Sequence, residues 1–388
     1  MLVARKITDD PHVHAPHTSM QRALARVAPR LDQLPARRYR QRTAGLFSAA
    51  WMPDLLLPRL QALRPDIVHL HWINYGFVGI ETLSRIRRPL VWTLHDMWPF
   101  TGGCHYAGPC ERYRTGCGSC PQLGSTTPGD LSMRTMRRKR AAWSALELTV
   151  IAPSRWLGAL AQGSALFSSS RIEVIPNCLD TVRFSPRAKA AARAALGLPQ
   201  DRLLVLFVAL DADAEPRKGF TQLEAALGQL AARFEGRPID LMVLGDATER
   251  PGDFPLRMHR LGVVHDDERI ALAYCAADVF VAPSVEDNLP NTVLEAMSCG
   301  VACVAFDVGG IPDMVVHAET GYLARAGSAA DLAAGIVWVL ESTERRDALG
   351  AAGRRRVEAM FAPGVGAARH RDLYSDLTDR AAAARPRS

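Results

Sequence analysis

The chain has 388 residues, of which 48% are hydrophobic and 22% charged, a composition typical of a folded globular protein rather than a disordered one. This length predicts two domains, because one hydrophobic core rarely exceeds about 250–300 residues. The longest apolar run, Leu203–Leu210, is far shorter than the ~20 residues of a membrane span, and the N-terminus lacks the apolar stretch of a secretion signal. We therefore expect a cytoplasmic protein.

Positive charge is concentrated at the beginning of the chain. The net charge is +7, and residues 1–42 hold nine basic and three acidic side chains, a net of +6. Such a segment suits the anionic inner face of a membrane, and the alternative is a solvated face of an Arg-rich protein. Nucleic acid is disfavoured as a partner, since we find no zinc finger, aromatic RNA-binding signature or recognition helix.

Short apolar runs alternate with amphipathic stretches along most of the chain. The runs are rich in Val, Ile and Leu and too short for helices, which predicts strands covered on both faces. They lie at 66–70, 90–94, 148–152, 172–175, 203–210, 239–244, 279–282 and 301–306. Helical patterns lie at 220–234, 267–276, 291–299 and 331–361. The alternation predicts an α/β fold with parallel sheets.

The small polar stretch 162–170 predicts a linker between two such sets of elements. The first domain would then occupy residues 1–165 and the second residues 171–365. Residues 366–388 would form a C-terminal helix and tail, and we expect the last eight residues to be mobile.

Half of the eight cysteines lie within 17 residues. They are Cys104, Cys110, Cys117 and Cys120. A Cys-x-x-Cys pair with two upstream thiolates can close a tetrahedral zinc site, and in a cytosolic chain zinc is favoured over disulfides. The spacing is not that of a common zinc finger, so free thiols or a redox pair are the alternatives. The remaining cysteines are predicted to be packing residues: Cys178, Cys275, Cys299 and Cys303.

The segment 282–300 joins a strand, a polar loop and a helix. Pro290 suits the start of the helix, where its missing N–H costs nothing. Backbone N–H groups around Leu289 and Asn291 would point out of the helix N-terminus, which predicts an anion site suited to a diphosphate.

Three acidic residues belong to the same segment. Glu286 and Asp287 lie on the loop at the carboxyl end of the strand, where open α/β sheets bind ligands. Glu295 lies about one turn into the helix and could accept hydrogen bonds from ribose hydroxyls.

This segment resembles the donor-site signature of the family 4 (group 1) retaining glycosyltransferases of GT-B fold. In that family, two Glu residues separated by seven positions contact the donor sugar and the nucleotide ribose. Here eight residues separate Glu286 from Glu295, while Asp287 stands at the family spacing. Either the loop is one residue longer or Asp replaces the first Glu.

Other segments carry the same resemblance. Lys218, followed by Gly219, is similar to the family's Lys-Gly pair, whose Lys neutralises the donor diphosphate. The family's Arg usually lies several residues upstream, whereas here Arg217 is adjacent. His95 ends a strand as the family's His does, and by resemblance it faces the transferred sugar.

Weaker matches lie at the domain junction and beyond it. Asn177 lies in a Pro-Asn turn like that of the family, and Gly309 and Gly310 resemble its Gly-Gly loop, where glycines let a backbone approach the ligand. A branch of the family carries a Cys-rich insertion similar to the one after His95.

The resemblance implies a GT-B fold, with two Rossmann-like doubly wound domains facing a cleft. It implies a retaining hexosyltransferase that moves a sugar from a nucleotide-diphosphate donor on the second domain to a carbohydrate or lipid-linked acceptor on the first, in polysaccharide or cell-envelope glycan synthesis. Catalysis would need no metal, since Lys218 and the helix N-terminus supply positive charge. The alternatives are a non-catalytic donor-binding subunit and a sugar-nucleotide epimerase on the same fold.

The resemblance covers residues 60–365 well and the first 50 residues poorly. The family begins with a strand, a Gly-rich loop and a helix, whereas no Gly-rich segment precedes Gly45. We therefore expect this first unit to be absent or replaced.

Overall fold

A computed structural model of the chain describes residues 1–16, 18–43, 45–54, 56–209, 215–231, 238–245 and 256–383. The chain divides into two compact units. The first unit contains residues 1–152, 157–174 and the chain from residue 372 onward, and the second contains residues 153–156 and 175–371. Across the described ranges, no helix combines the length and apolar character needed to cross a membrane.

The first unit is built on a four-stranded parallel sheet whose strands stand side by side in chain order. These strands are β1 (Val68–His71), β2 (Leu90–Thr93), β3 (Leu148–Ala152) and β4 (Arg171–Val174). Every residue of β2 and β3 is buried, as expected of strands covered on both faces. The helices here are α1 (Ser19–Asp32), α2 (Leu34–Arg37), α3 (Leu56–Leu63), α4 (Ile80–Leu83), α5 (Leu131–Trp143) and α6 (Arg155–Gln162).

The core of the first unit contains a cluster of aromatic side chains and one buried acid. Trp92 of β2 packs edge-on against Trp143 of α5, with ring centroids 5.4 Å apart. Asp32, at the end of α1, is fully buried, and the main-chain N–H groups of Trp51 and Ala50 approach its carboxylate without closing hydrogen bonds of normal geometry. Burial therefore raises the pKa of Asp32 to about 6.

The second unit is built on a six-stranded parallel sheet. Its strands are β5 (Leu203–Ala209), β6 (Ile239–Gly245), β7 (Arg257–Gly262), β8 (Val279–Ala282), β9 (Cys303–Phe306) and β10 (Gly321–Ala324). Across the sheet they stand in the order β10-β9-β8-β5-β6-β7. The order reverses between β5 and β8, which are neighbours in the sheet although two strands separate them in the chain. This is the topological switch point of a doubly wound sheet.

Helices cover both faces of this sheet. They are α7 (Lys189–Leu196), α8 (Phe220–Ala231), α9 (Asp267–Ala276), α10 (Asn291–Ser298), α11 (Ile311–Met314), α12 (Ala329–Glu341) and α13 (Thr343–Met360). One buried cluster joins the sheet to α9 and α10, and another joins it to α8 and α12. A last helix, α14 (Pro363–Ala383), begins in the second unit and ends in the first.

The structure differs from the sequence predictions at several elements. The predicted helix 331–361 is two helices, because Ser342 starts a new one by capping the main-chain N–H of Arg345. The strands β7 and β10, which form the two edges of the sheet, were not predicted, and three of the six residues of β7 are basic. Three predicted segments end outside the described residues: the strand at 203–210, the helix at 220–234 and the mobile C-terminus. The residues concerned are 210, 232–234 and 384–388.

The boundary between the units also lies elsewhere than the linker predicted at 162–170. Because β4 pairs with β3, the first unit extends to Val174. The small polar residues of 162–170 form turns within that unit, where Ser164 is buried and donates to the carbonyl of Ala161 at 2.7 Å. The described C-terminal residues 372–383, which end α14, cluster with the first unit.

Candidate functional site

The switch point of the second unit brings together two loops that are distant in sequence. Residues Val205 and Leu206 of β5 pair with Val279 and Phe280 of β8. The segment 215–219 follows β5, and the loop 283–290 follows β8, so both lie at the carboxyl edge of the sheet. Ligands of doubly wound sheets bind at this edge.

The two loops are joined by an ion pair. The Nζ atom of Lys218 lies 2.8 Å from an Oδ2 of Asp287, and a guanidinium nitrogen of Arg217 lies 3.4 Å from the same oxygen. The side chain of Asp287 is only 9% exposed and that of Lys218 26%. Of the two candidate acids in the loop, Asp287 is the one that contacts the lysine, while Glu286 lies beside it, half-buried.

Glycines permit the main chains around this ion pair to touch. A Cβ on Gly219, whose φ is +72°, would lie 1.8 Å from the carbonyl oxygen of Pro283. A Cβ on Gly309 would lie 1.8 Å from the carbonyl oxygen of Asp287, and Gly310 donates its N–H to that oxygen at 3.1 Å. The Gly-Gly loop predicted from the sequence is therefore packed directly against the acidic loop.

The helix α10 starts beside Asp287. Pro290 is its N-cap, Leu289 is buried and Asn291 is exposed in the first turn. The first N–H groups of a helix have no partner within it, and the helix dipole adds positive potential there. Asn288 is held by the hydroxyl of Ser154, which donates to its Oδ1 at 2.7 Å.

Glu295 lies one turn further along α10. Its Oε2 accepts a hydrogen bond of 2.7 Å from the hydroxyl of Tyr274, a residue of α9. Burial raises the pKa of Glu295, which the hydrogen bond from Tyr274 partly offsets, and burial together with the charge of Glu295 raises the pKa of Tyr274. Tyr274 was not among the predicted site residues, although a tyrosine in an apolar helix needs a partner for its hydroxyl.

Asn177, which was also predicted to bind the donor, lies far in sequence from the loops described above. Asn177 is half-buried in the segment after β4, and that segment is tied to the end of α13 by a 2.9 Å bond from the N–H of Leu179 to the carbonyl of Phe361.

His95 belongs to the first unit, where it follows β2. Its Nε2 lies 3.0 Å from Nδ1 of His71, an exposed residue at the end of β1 that was not among the predicted site residues. Burial lowers the pKa of His95 despite the nearby charge of Asp96, so the ring is neutral at physiological pH. A neutral ring has one donor and one acceptor nitrogen, and Nε2 is already within hydrogen-bond distance of His71.

A buried polar network fixes the loop that carries His95. Asp96 accepts from the main-chain N–H of Trp98 at 2.9 Å and lies 2.7 Å from Nδ1 of His105, whose Nε2 lies 3.0 Å from Oγ of Ser48. The pKa of Asp96 is lowered, because these contacts outweigh the effect of burial. The Ser-His-Asp order is that of a hydrolase triad, but Ser48 and His105 are at most 1% exposed, so the network supports structure rather than reacting with substrate.

The four clustered cysteines line one small cavity of the first unit. Among the described residues, no group of three or more His, Cys, Asp or Glu side chains stands in an arrangement that could hold a metal ion. The structural zinc therefore stays a prediction. All eight cysteines are free. Of the four predicted to be packing residues, three are buried, whereas Cys178 is exposed because it lies in the irregular segment after β4.

The residues that meet at the switch point of the second unit have the chemistry of a site for a phosphorylated ligand. Lys218, Arg217 and the N-terminus of α10 supply positive potential and N–H donors within one loop system. Glu295 adds a carboxylate one turn away, suited to hydroxyl groups. This combination suits an anionic group attached to a sugar or polyol.

Comparison with known proteins gives two family matches along the chain. Residues 1–183 match the model of "Glycosyltransferase Family 4", and residues 202–342 match that of "Glycosyl transferases group 1". The chain is 28% identical, over 74% of its length, to the D-inositol 3-phosphate glycosyltransferase of Nocardia farcinica. It spans 61% of that relative's length.

Two further similarities agree with these matches. Over 44% of each chain, the sequence is 35% identical to the phosphatidyl-myo-inositol mannosyltransferase of Mycolicibacterium smegmatis. Among solved structures, HepE from Anabaena in complex with UDP and glucose superposes with a TM-score of 0.61 at 20% identity, covering 82% of this chain and 81% of HepE. The two parallel-sheet α/β units thus have the GT-B fold.

Proposed function

The chain belongs to the family 4 (group 1) glycosyltransferases, and we propose that it transfers a sugar, with retention of anomeric configuration, from a nucleoside-diphosphate sugar to a hydroxyl group of a carbohydrate or lipid-linked acceptor. The observation that carries this proposal is the Lys218–Asp287 pair beside the first turn of α10 at the switch point of the second unit. The pair, the glycine loops and Glu295 supply what a nucleotide sugar needs: a cation, N–H donors and a carboxylate for hydroxyls.

In this proposal the donor diphosphate binds Lys218 and the N–H groups at the start of α10. The ribose hydroxyls bind Glu295, which Tyr274 holds in place. Asp287 faces the donor sugar, in the position that the family gives to a Glu. The complex of HepE with UDP and glucose supports this donor class, since HepE has the same fold.

Transfer breaks the bond between the anomeric carbon and a diphosphate oxygen, and forms a bond from that carbon to the acceptor oxygen. The acceptor proton leaves with the departing diphosphate. Negative charge develops on the leaving group, so positive groups that are already in position stabilise the transition state more than the bound donor. By resemblance, His95 of the first unit binds a hydroxyl of the transferred sugar.

The acceptor in this proposal is a polyol or glycolipid that carries a phosphate. The names of two relatives support this class, since one acts on an inositol phosphate and the other on a phosphatidyl-inositol. The basic segment 1–42 supports contact with an anionic membrane, because α1 also exposes the apolar side chains of Met20 and Val27. Such an enzyme would serve cell-envelope glycan or polysaccharide synthesis.

The test is a transfer assay with a panel of UDP- and GDP-sugars, each offered with inositol phosphate, with phosphatidylinositol vesicles and with no acceptor. We expect release of nucleoside diphosphate that depends on acceptor, and NMR of the product should show the anomeric configuration of the donor. An inverted product would refute retention. Conversion of donor to an isomeric sugar nucleotide without acceptor would instead identify an epimerase, and tight donor binding without turnover across a broad acceptor set would identify a binding subunit.

A further inference from the structure

The first unit contains a cavity of about 100 Å³ between α1 and the loop that follows β1. Its lining comes mainly from α1, the start of α3, residues 2–4 and residues 74–77, and most of the lining side chains are apolar. For scale, an apolar cavity of ~150 Å³ in another protein binds benzene. The cavity is partly open to solvent, so it can admit several carbon atoms of a ligand from outside.

Small side chains of α1 leave this space unfilled. Leu24, Ala25 and Ala28 line the cavity from one face of the helix, because positions three and four apart lie on the same side. Across from them, a Cβ on Gly76, whose φ is +71°, would lie 2.9 Å from the Cβ of Ala28. The helix and the loop are therefore in direct contact at the wall of the cavity, and the space beside that contact is bounded by alanines.

The loop that forms the opposite wall has a strained main chain. Trp72 has a φ of +41° and Tyr75 a φ of +56°, values in the left-handed region that bulky side chains rarely adopt. Such conformations cost free energy and persist only where the surrounding structure imposes them, and they cluster at ligand-binding positions. Between these two residues lies Asn74, whose side chain reaches the cavity.

The side chain of Asn74 is the polar group of the lining that lacks a partner. It is only 4% exposed, and its Oδ1 accepts no hydrogen bond from any residue that the structure describes. Other polar groups of the lining are paired: Asp54 accepts from the N–H of Gly79 at 2.7 Å, and Arg59 donates to the carbonyl of Ala15 at 2.9 Å. A buried oxygen without a donor is costly, so a ligand that donates a hydrogen bond to it gains affinity.

We propose that this cavity binds a short aliphatic alcohol, whose chain occupies the apolar space and whose hydroxyl donates to Oδ1 of Asn74. An alkane would leave that oxygen unpaired, and an ionic group would lose its hydration against a mostly apolar lining. The site lies within the first unit, and its occupancy does not rest on the proposed sugar transfer, because binding is measured without a sugar donor.

The experiment is a titration of the full-length chain with 1-hexanol, followed by ligand-observed NMR. A parallel titration uses methyl pentyl ether, an isomer of 1-hexanol that accepts hydrogen bonds but cannot donate one. We expect saturable binding of 1-hexanol with a Kd of about 1 mM or below, and binding of the ether at least ~5-fold weaker. Equal affinity for the two compounds would overturn the contact with Asn74, and no saturable binding of 1-hexanol would overturn the site.

Two variants of α1 locate the binding. Ala25→Phe fills the cavity and should abolish saturable binding of 1-hexanol. The matched control is Ala23→Phe, at an exposed position of the same helix, which should bind 1-hexanol as the wild type does. Equal loss in both variants, or full binding by Ala25→Phe, would contradict the proposal.

Asn74→Leu covers the case in which Ala25→Phe does not fold. It keeps the approximate size of the side chain and removes the unpaired oxygen, so the preference for 1-hexanol over methyl pentyl ether should disappear. A preference of the wild-type size in this variant would show that the hydroxyl does not contact Asn74, and would overturn the proposal.

Discussion

Lys218→Ala tests the proposed diphosphate site directly. The substitution removes an ammonium that lies 2.8 Å from Asp287 and leaves that 9%-exposed carboxylate with Arg217 at 3.4 Å as its nearest cation among the described residues, beside the main-chain N–H of Asn288 at 3.0 Å. A hydrogen bond to a charged group contributes about 1.5–3 kcal/mol, and every 1.4 kcal/mol is a factor of ten in Kd. We therefore expect UDP or GDP to bind about 10- to 150-fold more weakly, as measured by isothermal titration calorimetry.

Asp287→Asn sharpens the same test, because it removes the negative partner that competes with the diphosphate for Lys218. Binding of UDP or GDP should be retained or tightened, while sugar transfer falls. In the double variant, part of the loss caused by Lys218→Ala should be recovered, since the carboxylate that repels the diphosphate is gone.

The matched control is Lys189→Ala, another lysine of the second unit paired with an aspartate, Asp278, at 2.7 Å. It should leave the affinity for UDP and GDP unchanged. The reasoning fails if Lys218→Ala binds either nucleotide within twofold of the wild type, or if Asp287→Asn weakens binding as much as Lys218→Ala does.

Three further predictions concern a buried acid, a glycine and a tyrosine. Burial raises the pKa of Asp32 from 3.8 to about 6, so between these pH values the folded chain binds a proton that the unfolded chain has lost. The free energy of unfolding should therefore fall by about 3 kcal/mol as pH rises from about 4 to above 6. Asp32→Asn should not show this fall in urea unfolding measured across the same pH range, and a parallel fall in both proteins would contradict the prediction. Gly310→Ala places a Cβ 1.7 Å from the carbonyl oxygen of Asn288 and should abolish nucleotide binding in calorimetry. The control is Gly228→Ala, at an exposed position of α8 with open space around it. It should raise the melting temperature slightly and leave nucleotide binding intact. Tyr274→Phe removes a hydrogen bond that lowers the pKa of Glu295, so Glu295 should become protonated at a higher pH in the variant. When the solution is acidified, the affinity for nucleotide should therefore begin to fall at a higher pH than in the wild type. Identical pH profiles of the two proteins would show that the hydroxyl is unimportant.

Much of the fold could be predicted from apolar runs. The strands β3 and β8 and the helix α9 have the predicted bounds, because buried strands and capped helices carry strong local signals. The edge strand β7 could not be predicted, since three of its six residues are basic and none of the six is buried, so it is not a continuous apolar run. The assignment of β4 to the first unit depends on its pairing with β3, which no local pattern specifies.

The sequence predicted the chemical groups of the candidate site, because each group lies within one continuous segment, but it did not predict which groups contact each other. Lys218 and Asp287 lie 69 positions apart, and only the adjacency of β5 and β8 shows which acid the lysine meets. The same holds for Tyr274, whose contact with Glu295 joins two helices, and for His71, whose contact with His95 joins two strands. Spacing along the chain thus indicated the kinds of groups, while tertiary contacts determined the partners.

The assignment of residues 153–156 to the second unit has a practical consequence for dissecting the protein. A fragment that begins at Ile175 would contain the whole six-stranded sheet but would omit the hydroxyl of Ser154 that holds Asn288, and the Arg155 side chain that meets Asp313 at 2.7 Å. The acidic loop would then lose an anchor next to its ion pair. A fragment that keeps these contacts must therefore begin no later than Pro153, and it would then carry β4 without β3, the strand with which β4 pairs.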